Sequence, residues 1–556
     1  MLVANEMAPQ ANKESVMETE KITNEKPADI EAIPMVDDAD EATQHLERLR
    51  KQYSATWDSP DDPKDPYNWS SWKKISIGIV MGLGALVTLV TASVTAAALG
   101  DIARDLHLDP ATAQISFSVY FLGLAFGPFP IAAISEMNGR RNIWIAANIW
   151  FILWNSLCPV GYSKGLMIAG RFLAALGASV GNTLAAPVMT DLFHEKDRGK
   201  SLAIAGLLPY LGPALGPIIG GLVSQLIAWP WLFYIVSIID TVVLVIGILI
   251  LRETYTPILL RRKAAAMARL DQATAVATPA GMNQWVFWQD FFARLRVNML
   301  RPFRILFYRP VMQLVTLNMG LAFGIYTLML STFAQLWVER YGQSKLSSSL
   351  HYISISVGIS LATQIGGRAM DWIYRRLRER HARTSGVGAG GKLPPGKPEY
   401  RVPYMLPGVL LMPAGLFWYG WSAQYHYHWI IVDIGAAVFT MGSFISRFPA
   451  RPFPPHLTTN QSTQYSQALN AYILDEFREY GASAIAAVRI LSQILGFAFP
   501  IFAPQLYETL DYGWGNSLLA LVFVVLAFPV PGCLWLWGEK LRAMGRRRTE
   551  DTTSSS

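Results

Sequence analysis

Four ionisable residues lie inside stretches otherwise built from aliphatic and aromatic side chains: Arg171 in GRFLAALG, Asp240 in SIIDT, Asp433 in IIVD and Arg489 in AAVRILSQ. A charge in such a setting is costly, so it is expected to face a cavity or a partner, or to reach a rim along its own stem. A carboxylate that gains and loses a proton can tie proton movement to a change of shape. Asp240 is the foremost candidate for that role. Asp433, and Asp191 and Glu253 at the ends of apolar runs, follow it, and each could instead be a rim charge. Arg489 could pair with a carboxylate or an anionic group.

Polar and aromatic residues spread through the same stretches could line a cavity. Tyr120, Asn182, Tyr210, Asn318, Tyr326, Gln335, Gln364 and Gln493 are the candidates. Aromatic faces with a few hydrogen-bonding groups suit amphipathic organic molecules, because desolvation supplies affinity and sparse polar groups supply orientation. Packing could account for any one of them. The chain lacks a Gly-x-x-x-x-Gly-Lys-[Ser/Thr] loop and a His-Glu-x-x-His pair. Its two cysteines, Cys158 and Cys533, stand far apart in apolar runs and read as small buried hydrophobes. No catalytic residues, metal site or cofactor are therefore expected, and ATP-driven chemistry loses support.

Composition shows what must position these residues. The chain has 556 residues with 52% hydrophobic content, 16% charged content and 18 Trp, and a mean hydropathy of +0.27. Charged residues usually make up about 25% of a soluble chain, so a polytopic membrane protein is expected. Apolar segments near 75–98, 112–134, 142–161, 165–190, 200–226, 230–251, 310–335, 347–370, 403–422, 428–446, 481–505 and 515–538 are each long enough to cross about 30 Å of hydrocarbon as a helix. They make twelve spans in an all-α fold. Residues 1–70 read as a disordered tail without a cleavable signal, 253–309 as a linker and 541–556 as a second tail. Within the linker, Trp285 to Tyr308 mixes aromatics with Arg294, Arg296, Arg301 and Arg304, as an interfacial helix or a solvated linker would.

Basic residues cluster in alternate loops: Lys73 and Lys74, Arg140 and Arg141, Lys196 to Lys200, the 252–309 stretch, Arg375 to Arg383, and Lys540 to Arg548. Loops of this kind mark the cytoplasmic face, so both termini are expected inside, with anionic lipid rather than nucleic acid as the partner of the +7 net charge. The sequons at Asn68 and Asn460 then fall on the cytoplasmic side and are expected to be unused.

The segment GLLPYLGPALGPIIGG repeats small residues every fourth position. Gly212, Gly216 and Gly220 share one helical face, with Pro213, Pro217 and Gly221 beside them. In a bilayer such a stripe lets helices approach closely, and proline is tolerated where neighbours satisfy freed carbonyls. Internal repetition divides the spans into 71–252 and 310–540. Glu136, Gly139, Arg140 and Arg141 follow the second span, and Asp371, Arg375 and Arg376 follow the eighth, each placing an acid just before paired arginines. Two six-helix halves on one plan point to a carrier with its path between them.

At these residues the chain resembles the major facilitator superfamily, and within it the fungal drug:proton antiporters with twelve spans. Residues 132–141 are similar to the family's loop signature, with Ala132, Glu136 and Met137 departing from it and Gly139, Arg140 and Arg141 matching. The resemblance implies a cytoplasmic gate formed by Glu136, Gly139, Arg140 and Arg141, and by Asp371, Arg375 and Arg376 in the second half. Gly170-Arg171 resembles the fourth-span signature, which implies proton coupling through Arg171. Gly212 to Gly221 resembles the antiporter signature of the fifth span, implying export and close packing against the other half. Further likeness lies in Arg252-Glu253-Thr254-Tyr255, in Asp191-Leu-Phe with Arg198-Gly199, and in Leu350-His351-Tyr352.

The resemblance implies proton-coupled export of small amphipathic organic compounds by a monomer that works by alternating access, without a cofactor beyond the proton gradient. The plasma membrane is the expected site, with a vacuolar or vesicular membrane as the other choice. Import by the same chemistry and a non-transporting sensor are the competing readings. One stretch departs from the family pattern: residues 446–467 interrupt the tenth span with prolines and arginines that a spanning helix cannot hold. They read either as a translated intron or as a cytoplasmic excursion.

Overall fold

In hydrocarbon each backbone N–H and C=O must find its partner within its own segment, so the apolar runs fold as helices. The structure is a computed structural model and describes residues 56–193, 208–272, 302–384, 398–445 and 481–554, with positions 47, 49, 50, 289, 292, 293 and 296 besides. No strand occurs among the described residues. The first half holds α1 (Ser71–Val94), α2 (Pro110–Asn138), α3 (Arg140–Leu157), α4 (Lys164–Leu192), α5 (Gly212–Leu226) and α6 (Pro230–Ile250). The second holds α7 (Pro310–Gln335), α8 (Tyr352–Thr384), α9 (Met405–Gln424), α10 (Trp429–Ile445), α11 (Gly481–Ile501) and α12 (Ala503–Leu526, continued by Pro529–Ser554). Among the described residues seven helices are long and apolar enough by themselves to cross a membrane, and α10 and the 486–501 part of α11 are shorter apolar helices. The start of the fifth span (200–207), most of 285–301 and the whole of 446–467 lie outside the described residues.

Local sequence sets the helix ends. Asp109 caps α2 by accepting from the Thr112 N–H at 3.0 Å, with Pro110 in the first turn where no donor is needed. These hydrogen bonds from Thr112 hold the Asp109 carboxyl below its ordinary range. Between α2 and α3 the chain turns on Gly139 alone, whose φ of +97° is open to glycine and strained for other residues.

Within the first half α4 is the central element, packed on α1, α2 and α3, while α5 lies on α1 and α6 on both α1 and α3. In the second half α7 packs on α11, and α9 on α10 and α12. The halves meet where α2 lies on α11, and where α5 lies on α8 and on a short helix, Lys345–Leu350, that precedes it. The start of α1, the end of α12, the α2–α3 turn and the adjoining ends of α8 and α9 share the end of the bundle rich in basic residues, called here the basic end; the α1–α2 and α7–α8 connections lie at the far end. The stretch read as an N-terminal tail is held from Thr56 onward: Trp57 is buried with Leu49 and Leu260, and Lys263 Nζ bonds Asp58 Oδ1 at 2.5 Å.

Candidate functional site

Small residues on α4 bring its neighbours close enough to enclose a guanidinium. A Cβ at Gly177 would strike the backbone of α3, and one at Gly181 the backbone of α1 at Gly84 and Ala85. Between these contacts and the far end, Arg171 is fully buried. It donates from Nη1 to Thr91 O at 3.0 Å, and from Nη2 to Thr95 Oγ1 at 3.1 Å and Phe117 O at 3.4 Å. Its guanidinium lies 4.6 Å from the centre of the Tyr120 ring, and the Tyr120 hydroxyl donates to Thr88 O. Nε is buried without a hydrogen-bond partner. Of the two sequence expectations for Arg171, the interior placement is the observed one, and the side chain does not reach a rim.

Asp240, on α6, is 1% exposed, and its Oδ2 has no hydrogen-bond partner. One turn before it, Asn155 Nδ2 donates to Ser237 Oγ and to Phe233 O, both at 2.9 Å, tying α3 to α6. Arg171 and Asp240 are thus two buried ionisable groups of the same half, and no ion pair to either occurs among the described residues. Burying a charge without a partner is expensive, so both invite a proton, a counter-ion or a solute group.

From the Arg171 pocket a row of rings crosses to the other half. Phe117, Phe121, Phe323, Tyr326 and Phe444 follow one another at centroid spacings of 5.7, 5.6, 6.2 and 5.4 Å. The step from Phe121 to Phe323 joins the halves edge to face, the arrangement that ring quadrupoles favour. Of the expected cavity residues, Tyr120 and Tyr326 belong to this region. Asn182 and Gln493 are half-buried, and Gln493 Oε1 is buried without a partner. Asn318 is buried but turns into its own half, donating to Ala527 O. Gln335 departs from expectation: it is exposed at the far end and donates to Glu339, because the helix widens into a π turn at Leu336–Arg340 and releases it from the interior. The side chains of Tyr210 and Gln364 lie outside the described residues.

At the basic end the paired arginines meet a different acid from the one nearest in sequence. Glu136 is exposed, whereas Glu253 is buried at the start of α3 and accepts from the Arg140 and Arg141 N–H groups at 2.9 and 3.4 Å. The helix N-terminus offers unpaired donors and positive dipole there, which suits a carboxylate. A Cβ at Gly139 would fall on that carboxylate, so glycine is required on two counts. Arg140 also reaches Asp191 Oδ2 at 3.3 Å and donates to Ser135 Oγ at 2.7 Å, while Arg141 donates to Leu251 O and Ile248 O at the end of α6. In the second half Arg375 and Arg376 are exposed, with Arg376 over the Trp372 ring, and the Asp371 side chain lies outside the described residues.

The glycine stripe packs on its own half rather than on the other. Cβ atoms at Gly212, Gly216 and Gly220 would strike α1 at Leu89, Ser93 and Val94. Only Gly221 faces the second half, at Ser349 and Lys345 O. Pro213 occupies the first turn of α5 and Pro217 stands within the helix. Beside this contact the far end is closed across the halves by two interactions that sequence spacing did not suggest. Lys345 Nζ bonds both oxygens of Asp101 at 2.7 and 2.6 Å, and Gln225 Oε1 accepts from Leu346 N–H at 2.8 Å.

Two six-helix halves that share an interface, with buried charge in one and a ring row joining them, define a membrane carrier rather than an enzyme. The chain belongs to the Major Facilitator Superfamily, whose family model matches residues 81–471. It is 35% identical to a probable efflux pump of Aspergillus flavus over 82% of this chain and 99% of that one. It is 32% identical to the efflux pump vrtL of Penicillium aethiopicum, covering 94% of each. Among solved structures, the xylose transporter XylE from E. coli in a partially occluded inward open conformation shares the fold, with a TM-score of 0.55, 13% identity, 84% of this chain and 98% of that one. A bacterial homolog of the human lysosomal transporter Spinster, inward-facing and unoccupied, has a TM-score of 0.57 at 13% identity over 86% of this chain and 99% of that one.

Proposed function

We propose that this protein exports small amphipathic organic compounds in exchange for protons, by alternating access of a single chain. The observation that carries the proposal is that the first half buries two groups without an ion pair among the described residues, Arg171 and Asp240, with an aromatic row leading from the Arg171 pocket to the second half. Rings supply a face for an apolar solute, and the guanidinium senses charge beside them. Relatives over nearly the full chain that are named efflux pumps support the outward direction.

In this reading the basic end is cytoplasmic, in accord with the bias of Lys and Arg, and both termini lie there in the plasma membrane or an internal one. The Asp101–Lys345 closure then makes the far end the sealed outer gate, and the state is inward-facing. Arg140, Arg141 and their carboxylates form the cytoplasmic gate of the first half, with Asp371, Arg375 and Arg376 as its counterpart. Protonation of Asp240 removes its buried charge and lowers the cost of rearranging α6, which ties proton movement to the exchange of states.

Transport by purified protein in liposomes tests this. A panel of amphipathic compounds is offered with an imposed pH gradient and with an uncoupler. Uphill movement of at least one compound against the proton flux, abolished by the uncoupler, is expected. Movement in the same direction as the protons would replace export with import, and no movement of any compound would remove the transport reading.

A further inference from the structure

At the far end of the second half two titratable side chains meet away from the Arg171 region. His351 follows the short helix Lys345–Leu350, and Asp433 lies near the start of α10. His351 Nδ1 is 2.7 Å from Asp433 Oδ2, and Nε2 is 2.8 Å from Gln343 Oε1. The same Gln343 oxygen accepts from Ser347 Oγ at 2.9 Å. The imidazole stacks on the buried Trp337 at 3.7 Å with the planes 10° apart, and Trp429 presents its edge at 5.7 Å. Asp433 Oδ1 is buried without a hydrogen-bond partner. The pair forms the polar floor of a groove of about 530 Å³ whose walls include Leu350, Ile353 and Ile430.

Both ring nitrogens face oxygen acceptors, yet a neutral imidazole has one N–H. Both contacts are hydrogen bonds at once only when the pair holds one proton more than a neutral imidazole beside a carboxylate. The pair is then an imidazolium facing a carboxylate, or an imidazole facing a carboxylic acid, and the stack on Trp337 favours the cation. Loss of that proton leaves a lone pair against an oxygen. The repulsion is relieved when the Gln343 amide turns over and presents its NH₂ to Nε2, which takes the acceptor away from Ser347. Ser347 belongs to the helix that carries Lys345 to Asp101 and sets Ser349 against Gly221.

We infer that His351 and Asp433 form a proton-binding site on the second half, and that its occupancy stabilises closure of the far end. Other titratable groups here are engaged elsewhere. Arg340 pairs with Asp511, Lys345 with Asp101, and Glu339 with Gln335. The Tyr341 hydroxyl donates to Tyr427 O, while the His426 and His428 rings lie against Tyr341 and Trp429. The site does not depend on Arg171 or Asp240, so it stands or falls separately from proton-driven exchange.

The test uses the full chain in lipid nanodiscs with Cys158→Ala and Cys533→Ser, and spin labels at Leu226→Cys and Tyr425→Cys, which are both exposed at the far end. Label separation is measured at several values from about pH 5 to about pH 8. The short separation is expected to dominate in acid, with the open-to-closed ratio rising by at most about tenfold per pH unit, the limit for one proton. His351→Gln and Asp433→Asn are expected to flatten this response, while His426→Asn and His428→Asn retain it. Should His351→Gln fail to reach the membrane, the near-isosteric Asp433→Asn carries the test. An unchanged pH response in Asp433→Asn, or a response lost only in His426→Asn or His428→Asn, would overturn the inference.

Discussion

Arg140 and Arg171 belong to the same half and are both buried, yet they are satisfied in opposite ways. Arg140 meets Asp191 and, through its backbone, Glu253, at the end of the bundle. Arg171 meets two carbonyls, a hydroxyl and a ring face, with no carboxylate. The first arrangement neutralises charge and fixes the ends of three helices. The second leaves a net charge beside the aromatic row, where a change of protonation or a solute can register. A buried arginine is structural or responsive according to its partners, not its burial.

The largest effect that separates the two is expected from Arg140→Met. It leaves Asp191 without its cation while Glu253 keeps the backbone N–H groups, and removal of one partner from a buried pair costs about 3–5 kcal/mol. A lowered unfolding midpoint of the detergent-purified protein checks this, and an unshifted midpoint would show that the pair is dispensable. Arg171→Met is expected to reverse the pattern. Stability changes by less than about 1 kcal/mol, since no carboxylate is stranded, while uphill transport falls by about 100-fold, the scale of one lost charge interaction of about 3 kcal/mol. Equal loss of stability in both variants would dissolve the comparison.

Asp240→Asn sharpens the responsive side. Downhill solute exchange is expected to persist within about threefold of the parent, a change of less than 1 kcal/mol, while dependence on the pH gradient disappears. Retention of full gradient dependence at equal surface abundance would assign coupling to another group. The smallest effect concerns Asp58, whose carboxyl is held below its ordinary range by its hydrogen bond to Lys263. A carboxyl of lowered pKa stabilises its contact above the ordinary value and loses that stabilisation as pH falls through the lowered one. Proteolytic release of the segment around Trp57 is therefore expected to increase only in strong acid, and Asp58→Asn to remove that dependence.

Sequence periodicity revealed the spans, the two halves and the shared face of Gly212, Gly216 and Gly220, because these follow from local spacing. It did not reveal which helix covers that face. The stripe looked like an interface between halves, and α1 fills it instead. The same limit applies to the paired arginines, for which Glu136 is near in sequence and Glu253 near in space. Arg171 showed as a buried or snorkelling charge, and the choice required its depth and rotamer. His351 and Asp433 stood out one by one, yet only the packing of α8 on α10 brings them together.

The seat of Glu253 also sets an order of assembly. The Arg140 N–H that it accepts from was made 113 residues earlier, which at ordinary ribosomal speeds of about 5–20 residues per second is a delay of about 6–23 s. Through that interval the donors at the start of α3 lack their carboxylate. The first six helices therefore gain their lock as the sixth leaves the ribosome, before α7 begins, and the half-molecule is finished while its counterpart is still being translated.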